Sequence, residues 1–364
     1  MKVVIAGGGT GGHLFPGVAL ADAFLKEDAS SGIVFMGADR GIEVQIIPSL
    51  GFELITFPVG GVMGAGLLGG IFRSLSLAIG VVKAAGALRR ISPDLVVGTG
   101  GYGSVPGVVA AALLRIQRSI MEQNVTPGRA NRFLARFVPR IYLGLPTAEG
   151  VFPSGKAVLI GNPIRKSALI ETGSTRADTG DGKTILILGG SQGAVQLNDV
   201  SMKVVPELLR KLPGLRVIHQ TGSAHSEKIT AHYREEGVQV EVVPFMERMG
   251  EYYQEADLCL SRAGAMAVSE FAAAGLPSVL VPYPHAAGGH QRDNAMWLVK
   301  KGGAVLIEPD ELVPEILIDT LENLIRSPVE LLRMAENALK AGTRDAAGLI
   351  VSEEIKRMSG GTAS

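Results

Sequence analysis

Short apolar runs alternate with helix-like stretches through residues 1–160, and glycine or proline usually separates them. The runs that predict strands are KVVIAGGG, GIVFMGA, FELITFPV, DLVVGTGG, RSIMEQN, RIYLGL and AVLIGNP. The stretches that predict helices are LFPGVALADAFLKE, GIEVQIIPSL, LSLAIGVVKAAGALRRISP, VPGVVAAALL and RANRFLARFV. Strands that alternate with helices indicate an α/β protein with a parallel sheet covered by helices.

The same rhythm restarts at residue 182, where GKTILILGGSQGA again predicts a strand, a glycine-rich turn and a helix start. Further strands are predicted at LRVIHQTG, VQVEVVPF, DLCLSRAG and PSVLVPYP. A polar segment rich in Gly, Ser and Thr precedes the restart. We therefore predict two Rossmann-like domains, residues 1–161 and 162–342, with parallel sheets that face each other across a deep cleft. Ligands of such sheets bind beyond the carboxyl ends of the strands.

Composition narrows the class of protein. The chain has 364 residues, 46% of them apolar, which is enough for two domains with their own cores. Its single cysteine, Cys259, fits a reducing compartment. The uncharged stretches 54–72 and 95–114 contain glycine and proline, so neither is expected to span a membrane. Residues 1–160 carry 14 Lys and Arg against 9 Asp and Glu, which is compatible with an anionic partner. These cations are not clustered with aromatic residues, so nucleic acid is not expected.

The first glycine-rich loop has the spacing G-x-G-x-x-G at Gly7, Gly9 and Gly12. Backbone N–H groups and a helix N-terminus in such a loop can receive a diphosphate. Asp39, after the second predicted strand, could serve as the acidic residue that an NAD site requires. The motif is also compatible with a tight turn that binds nothing, so it leaves these alternatives open.

Two further loops also follow predicted strands. GTGGYGSVPG, residues 98–107, lies in the same domain as the first loop, and the two could hold an extended phosphate-bearing ligand together. GGSQGA, Gly189–Ala194, opens the second domain and offers the hydroxyl of Ser191, the amide of Gln192 and free N–H groups to an anion. Either loop could instead serve packing alone.

The stretch SRAGAMAVSEFAAAGLP carries Glu270 in a predicted helix with small apolar neighbours. A carboxylate there can accept hydrogen bonds from the vicinal hydroxyls of a ribose, although an exposed helix glutamate is the simpler interpretation. Gln291 and Asn294 share one helical face because they are three residues apart. Their amides suit the hydroxyl and acetamido groups of a sugar, and the simpler interpretation is a solvated helix surface.

His13 ends the first loop, where a neutral imidazole is a suitable general base near pH 7. Capping or packing is the alternative role. The sequence contains no H-E-x-x-H, no Asp-x-Asp pair and no P-loop motif. We therefore expect no essential metal or cofactor.

Six motifs occur together in the order and spacing of the MurG family, the peptidoglycan N-acetylglucosaminyltransferases: GGGTGGHLFPG, GTGGYGSVPG, EQN, GNPIR, LGGSQGA and SRAGAMAVSEFAAAGLP. The chain resembles this family over nearly its whole length. The resemblance implies a GT-B fold in which a C-terminal helix, residues 343–358, joins the N-terminal domain. It implies inverting transfer of GlcNAc from UDP-GlcNAc to the C4 hydroxyl of MurNAc on lipid I, which gives lipid II.

The resemblance also implies roles for individual residues. His13 corresponds to the proposed base, and the acceptor diphosphate would contact Thr10, Gly11, Gly12, Gly101, Tyr102, Gly103 and Ser104. The donor UDP-GlcNAc would contact Asn124, Arg165, Ser191, Gln192, Met246, Ala265, Met266, Glu270, Gln291 and Asn294. Two departures from the family pattern are Met121, where His usually precedes EQN, and the loop HAAGGHQ, which lacks the usual acidic residue.

The acceptor's polyprenyl tail requires an enzyme that reaches the membrane. Apolar residues flanked by cations fit interfacial docking on anionic lipid, and the candidates are Leu67, Leu68, Ile71, Phe72, Arg73 and Lys83. An ordinary core helix is the alternative. We expect a peripheral protein on the cytoplasmic face of the bacterial cell membrane, with proteins of cell-wall synthesis and division as possible partners.

Three other functions stay open at this stage. An NAD-dependent oxidoreductase would explain the first loop and Asp39, but not the third loop or Glu270. Another GT-B transferase with a different lipid or small acceptor would share every donor-side feature. A UDP-sugar-binding protein without catalytic activity would not need His13.

Overall fold

The fold contains two parallel β-sheets, one in each half of the chain. The computed structural model describes residues 1–57, 67–147, 150–169, 182–189, 194–286 and 289–360, with side chains in the third helix described from residue 76. The chain divides into an N-terminal unit, Met1–Arg165 joined by the segment from Asp345, and a second unit, Lys166–Arg344. The boundary observed after Arg165 lies close to the one expected after residue 161.

The N-terminal sheet has seven strands in the order β3-β2-β1-β4-β5-β6-β7, all paired in parallel. Its strands are β1 (Lys2–Gly7), β2 (Gly32–Ala38), β3 (Glu53–Phe57), β4 (Leu95–Gly100), β5 (Gln117–Glu122), β6 (Arg140–Leu143) and β7 (Ala157–Leu159). The helices between them are α1 (Gly11–Glu27), α2 (Glu43–Ser49), α3 (Leu67–Ile91), α4 (Ser104–Leu113) and α5 (Arg129–Leu134).

The second sheet has six parallel strands in the order β10-β9-β8-β11-β12-β13. They are β8 (Thr184–Leu188), β9 (Arg216–Gln220), β10 (Glu241–Val243), β11 (Leu258–Ser261), β12 (Ser278–Leu280) and β13 (Ala304–Leu306). The helices of this unit are α6 (Val195–Lys211), α7 (Ser226–Glu235), α8 (Met249–Glu255), α9 (Ala265–Ala274), α10 (His290–Lys300), α11 (Pro314–Ile325) and α12 (Pro328–Ala341), and a short 3₁₀ turn spans Lys166–Ala168.

The central strands read as unbroken apolar runs because helices cover both of their faces. Every residue of β4, β8 and β11 is buried. The helix α12 has the opposite pattern, with buried Leu331, Met334 and Ala338 spaced to face the core. The alternation seen in the sequence therefore identified the buried layers in both units.

The last helix, α13 (Ala346–Gly360), belongs to the N-terminal unit, where it packs on α1. Ile350 and Val351 are buried in the same apolar cluster as residues of β1 and β4. The hydroxyl of Tyr142 donates a 2.9 Å hydrogen bond to fully buried Glu354, which also pairs with Arg357. Burial and the adjacent Glu354 raise the pKa of Tyr142, so its hydroxyl remains protonated.

The expected elements are present in both units, and one strand was missed. Strand β13 was not predicted, because a run of three residues gives too weak a pattern to separate from its flanks. Residues 95–114 form β4, a loop and α4, as expected. Within the described part of the chain, no helix is long and apolar enough to cross a membrane.

Substitution of Ile350 by Ala should lower the free energy of unfolding of the N-terminal unit by about 2–5 kcal/mol, because the side chain is fully buried and its removal leaves a cavity. Leu349→Ala is the matched control, because the neighbouring side chain is 51% exposed. We expect this control to change stability by less than about 0.5 kcal/mol. Urea titration of both variants checks the prediction, and equal losses would contradict it.

Candidate functional site

The two glycine-rich loops of the N-terminal unit lie side by side because their strands do. Strands β1 and β4 pair in parallel, with Gly7 opposite Gly100 at their carboxyl ends. The carboxyl ends of parallel strands meet at one edge of a sheet, which is where α/β proteins bind ligands. The loops that follow β1 and β4 therefore open at the same place.

The first loop presents His13 in the opening turn of α1. Thr10 is the N-cap residue, with an extended backbone, and α1 begins at Gly11. The Oγ1 atom of Thr10 lies 3.1 Å from Nδ1 of His13. The imidazole is half-buried, and Gly12 beside it is exposed. This places an oriented imidazole next to backbone that a ligand can reach.

The second loop reaches the imidazole through two glycines. Gly100 and Gly101 have φ of 95° and 71°, which side chains rarely tolerate. A Cβ on Gly100 would lie 2.7 Å from Cδ2 of His13, and one on Gly101 would lie 3.3 Å from its Nδ1. The glycines thus let the loop backbone lie against the ring, and the two separately predicted loops meet at His13.

The remaining residues of the second loop differ in exposure. The hydroxyl of Ser104 is buried at the start of α4 and donates a 2.8 Å hydrogen bond to the carbonyl of Gly101. Tyr102 is 42% exposed. In this structure Ser104 therefore shapes the loop, while Tyr102 is accessible to a ligand.

Glu122 and Gln123 of the EQN motif were not predicted as site residues, yet their hydrogen bonds fix the conformation of this motif. One oxygen of buried Glu122 accepts the backbone and side-chain N–H groups of Asn124, at 3.0 and 3.2 Å. Its other oxygen accepts from the Gly128 backbone N–H and the Asn131 amide. Asn124, the predicted donor-sugar contact, is therefore fixed in orientation by a carboxylate. Glu122 is the last residue of β5, and nothing in the single sequence marks it for this role.

Gln123 connects this motif to the second loop. Its amide nitrogen donates to the carbonyl of Thr99 at 2.9 Å, and its backbone carbonyl accepts from buried Asn162. Its side-chain oxygen is buried with no hydrogen-bond partner among the described residues, 3.3 Å from the Cβ position of Gly100. The end of β5 is thereby tied to the loop that carries Gly100.

Arg165 is the last residue of the segment Met1–Arg165 of the N-terminal unit, and its side chain packs on α1. Its guanidinium lies 3.8 Å from the centroid of the Phe15 ring, two residues after His13. This cation–π contact holds the guanidinium against α1, the helix that carries the imidazole. The predicted contact between Arg165 and the donor diphosphate stays a prediction.

A buried polar network links the start of α6 to β9 and α7. Ser191 and Gln192 lie outside the described residues. Asn198, in the first turn of α6, donates to the carbonyl of Thr221, so its oxygen faces Nε2 of His219 at 3.2 Å. Because that nitrogen must carry the proton, Nδ1 of His219 accepts the hydroxyl of Tyr233 at 2.9 Å. Burial lowers the pKa of His219 to about 3, so the ring is neutral.

Glu270 is buried in α9, so the interpretation as an exposed helix glutamate is wrong. The hydroxyl of buried Tyr253 donates a 2.7 Å hydrogen bond to its Oε2. Tyr253, which was not predicted as a site residue, therefore orients the carboxylate that was predicted to bind a ribose. The helix begins with buried Ala265 and half-buried Met266 after an extended N-cap at Gly264.

Gln291 and Asn294 lie in α10 with different surroundings. Asn294 is fully buried and donates to the carbonyl of Ala263, so a solvated surface position is wrong for this residue. The side-chain oxygen of half-buried Gln291 accepts the Tyr283 backbone N–H at 2.9 Å. Both amides fix loops at the carboxyl edge of the second sheet, and their contact with a sugar stays a prediction.

Met246 is buried in the loop after β10, whereas the neighbouring Phe245 is 52% exposed. A ligand can therefore reach the aromatic ring of this segment more readily than the thioether that was predicted to contact it. The signal in the sequence was a lone aromatic residue after a strand end.

Comparison with known proteins identifies the family. The Glycosyltransferase family 28 N-terminal domain matches residues 3–143, and the family 28 C-terminal domain matches residues 184–350. The chain belongs to glycosyltransferase family 28. It is similar to proteins named UDP-N-acetylglucosamine--N-acetylmuramyl-(pentapeptide) pyrophosphoryl-undecaprenol N-acetylglucosamine transferase. The relative from Citrifermentans bemidjiense is 39% identical over 98% of this chain and 100% of its own length. The relative from Syntrophus aciditrophicus is 40% identical over 96% and 97%.

Solved structures agree with this family 28 assignment. The crystal structure of Acinetobacter baumannii MurG is 30% identical, with a TM-score of 0.79 over 98% of this chain and 99% of that one. A putative UDP-N-acetylglucosamine 2-epimerase from Listeria monocytogenes shares the fold alone, at 15% identity and a TM-score of 0.68. The predicted GT-B class, with a Rossmann-like parallel sheet in each unit, is confirmed.

Family 28 membership decides against the oxidoreductase alternative, and the first loop gives the physical reason. Asp39, which an NAD site would require, is exposed. The backbone N–H of Gly9 is instead taken by the carboxylate of Glu43 at 2.8 Å. The departure at Met121 is a core position of β5, 2% exposed, which a thioether fills well.

His219 should make the stability of the second unit depend on pH. The unfolded chain protonates this residue below its ordinary pKa of 6.5, whereas the folded unit resists protonation until pH about 3. Its contribution is therefore complete above pH 6.5 and is lost as the pH falls toward 3. Between pH 7 and pH 5 we expect a loss of about 2 kcal/mol that His219→Gln abolishes. Urea titrations at both pH values measure it, and an unchanged pH dependence in the variant would contradict the network.

Proposed function

We propose that the chain transfers N-acetylglucosamine from UDP-GlcNAc to the C4 hydroxyl of MurNAc in undecaprenyl-diphosphoryl-MurNAc-pentapeptide, with inversion at the anomeric carbon. The observation that carries the proposal is the imidazole of His13, held by Thr10 where two glycine-rich loops meet. The full-length similarity to relatives that are named for this reaction supports the choice of substrates.

In this proposal His13 removes the proton of the attacking hydroxyl. A neutral imidazole can accept that proton at Nε2 only when Nδ1 carries the ring hydrogen. In this tautomer Nδ1 donates to Oγ1 of Thr10, at the observed 3.1 Å. The contact with Thr10 is thus compatible with the tautomer that is active as a base.

The departing UDP gains negative charge, which preorganised donors can stabilise. On the donor side, α9 begins at Ala265 with an open N-terminus behind Gly264, and the positive end of its dipole suits a phosphate. Arg165 adds a cation, and Ser191 and Gln192 are further proposed donors. Glu270, oriented by Tyr253, would accept hydrogen bonds from the ribose hydroxyls.

Substitution of His13 by Asn should lower kcat by a factor of about 10² to 10⁴, because the general base is lost. Asn is chosen because its amide can keep a hydrogen bond to Thr10. The measurement is UDP release from UDP-GlcNAc with and without a lipid I analogue. His225→Asn, at the start of α7 in the second unit, is the matched control. Equal rates in the His13 variant and the wild type would overturn the role of the base, and release that ignores the acceptor would overturn the transfer itself.

We propose that transfer needs no divalent metal, because helix N-termini, Arg165 and neutral donors can carry the charge of the leaving group. The sequence contains no Asp-x-Asp pair to hold a metal beside a diphosphate. EDTA should leave most of the activity in the UDP-release assay. Loss of activity with recovery on addition of Mg²⁺ would contradict the proposal.

We also propose that α3 brings the enzyme to an anionic membrane surface, where the lipid-linked acceptor resides. The side chains of Leu67, Leu68, Ile71, Phe72 and Arg73 lie outside the described residues. In the described part of α3, Ile79 and Val82 are 44% and 72% exposed, and Lys83 is exposed beside them. Residues three and four apart share a helical face, so this face combines apolar and cationic groups.

The double variant Val82→Ser and Lys83→Glu should bind vesicles that contain anionic lipid about tenfold more weakly, since each cation near such a surface contributes about 1 kcal/mol. Vesicle co-sedimentation measures the change. The matched control is Val329→Ser with Lys340→Glu on α12, where both side chains are also exposed. Equal binding of the two double variants would count against docking through α3.

A further inference from the structure

Glu43, the first residue of α2, is hydrogen-bonded to the backbone of the first glycine-rich loop. Its side chain is fully buried. Its Oε2 accepts the backbone N–H of Gly9 at 2.8 Å, and its Oε1 accepts that of Ala38 at 3.0 Å. One carboxylate therefore ties the loop after β1 to the end of β2.

Three glycines form the cradle of this carboxylate. A Cβ at Gly8 or at Gly41 would collide with its carboxyl group, and a Cβ at Gly37 would lie 3.1 Å from its Cγ and Oε1. The space that side chains at these three positions would fill is occupied by the carboxyl group of Glu43. The glycines of this loop thus serve an internal carboxylate as well as a ligand.

The charge of Glu43 is compensated mainly by backbone dipoles. Among the described residues no cation forms an ion pair with it. Its partners are the N–H groups of Gly9 and Ala38, and the carboxylate itself lies in the first turn of α2, where the helix dipole favours an anion. A buried carboxylate without a cation is costly compared with a neutral side chain of the same shape. Its presence therefore needs a reason beyond packing.

The position of Gly9 supplies that reason. In a dinucleotide site, the N–H groups of this loop receive a diphosphate. Here an internal anion already holds the Gly9 N–H and would repel a phosphate placed there. The N–H groups of Gly11 and Gly12, at the start of α1, have no acceptor among the described residues. They lie next to His13, whereas Gly9 lies on the side of Glu43.

We propose that Glu43 is a positioning residue of the acceptor side. By occupying the Gly9 N–H, it directs an acceptor diphosphate to Gly11 and Gly12 and fixes the Gly8–Thr10 backbone that orients His13. The same backbone also lies close to the second loop, because a Cβ placed on Gly101 would lie only 3.0 Å from the Gly8 carbonyl oxygen. The role in acceptor binding rests on the function proposed above, while the hydrogen bond to Gly9 does not.

The kinetic test is Glu43→Gln, which keeps the shape but turns one acceptor into a donor that faces an N–H group. We expect kcat/KM for a lipid I analogue to fall about tenfold or more while KM for UDP-GlcNAc stays within about twofold, as for a lost hydrogen bond to a charged group.

Glu354→Gln is the matched control, because it alters another fully buried carboxylate of the same unit, far along the chain on α13. We expect both constants of this control to stay within about twofold of wild type even where Tm falls. Wild-type constants in the Glu43 variant, or a parallel rise of KM for UDP-GlcNAc, would overturn the proposal.

Amide hydrogen exchange on the wild-type protein tests the same idea without a variant, so the proposal stays testable if Glu43→Gln does not fold. In the free protein the Gly9 amide should be protected, and those of Gly11 and Gly12 should exchange rapidly. A bound lipid I analogue should protect Gly11 and Gly12 and leave Gly9 unchanged. Rapid exchange at Gly9 in the free protein, or protection of Gly9 only on binding, would overturn the role of Glu43. Wild type that forms no product while Gly9 is protected would instead count against the proposed transfer.

Discussion

The parallel pairing of β1 with β4 is the constraint on which the candidate site depends. It brings two glycine-rich loops to one edge of the sheet, where the backbone of Gly100 and Gly101 lies against the ring of His13. The second loop could not approach the ring this closely with side chains at Gly100 and Gly101, and the backbone at both positions has φ values that favour glycine. The imidazole therefore lies between the start of α1 and a backbone without side chains, with the hydroxyl of Thr10 beside its Nδ1.

In each unit, buried polar side chains orient residues that are predicted to contact a ligand. Glu122 fixes Asn124, and Tyr253 fixes Glu270. In the second unit, neutral His219 fixes Asn198 at the start of α6. Each of these contacts is stronger away from water, and each leaves a buried group unpaired when one partner is removed. The precision that transfer chemistry demands is thus built one layer away from the predicted ligand contacts.

Much of the fold could be predicted from periodicity, because buried parallel strands must be apolar throughout and the turns after them must be glycine-rich. The exceptions were local. Strand β13 is too short to give a pattern, and the supporting residues Glu43, Glu122 and Tyr253 carry no signature in a single sequence. In the sequence, a glutamate that becomes buried and accepts backbone N–H groups cannot be distinguished from one that lies exposed on a helix. Glu270 shows the same difficulty, since only its burial excludes the surface interpretation.

The sequence by itself determined the two-unit α/β class, the three loops and the family resemblance, because these depend on residue order and spacing. Only the tertiary structure decided which backbone groups are already taken. G-x-G-x-x-G predicts N–H groups aimed at a diphosphate, yet the Gly9 N–H is bound to Glu43, 34 residues further along the chain. Folding brings that carboxylate under the loop through the pairing of β1 with β2. The physical reason is that hydrogen bonds between distant residues depend on strand pairing and burial, which local sequence does not encode.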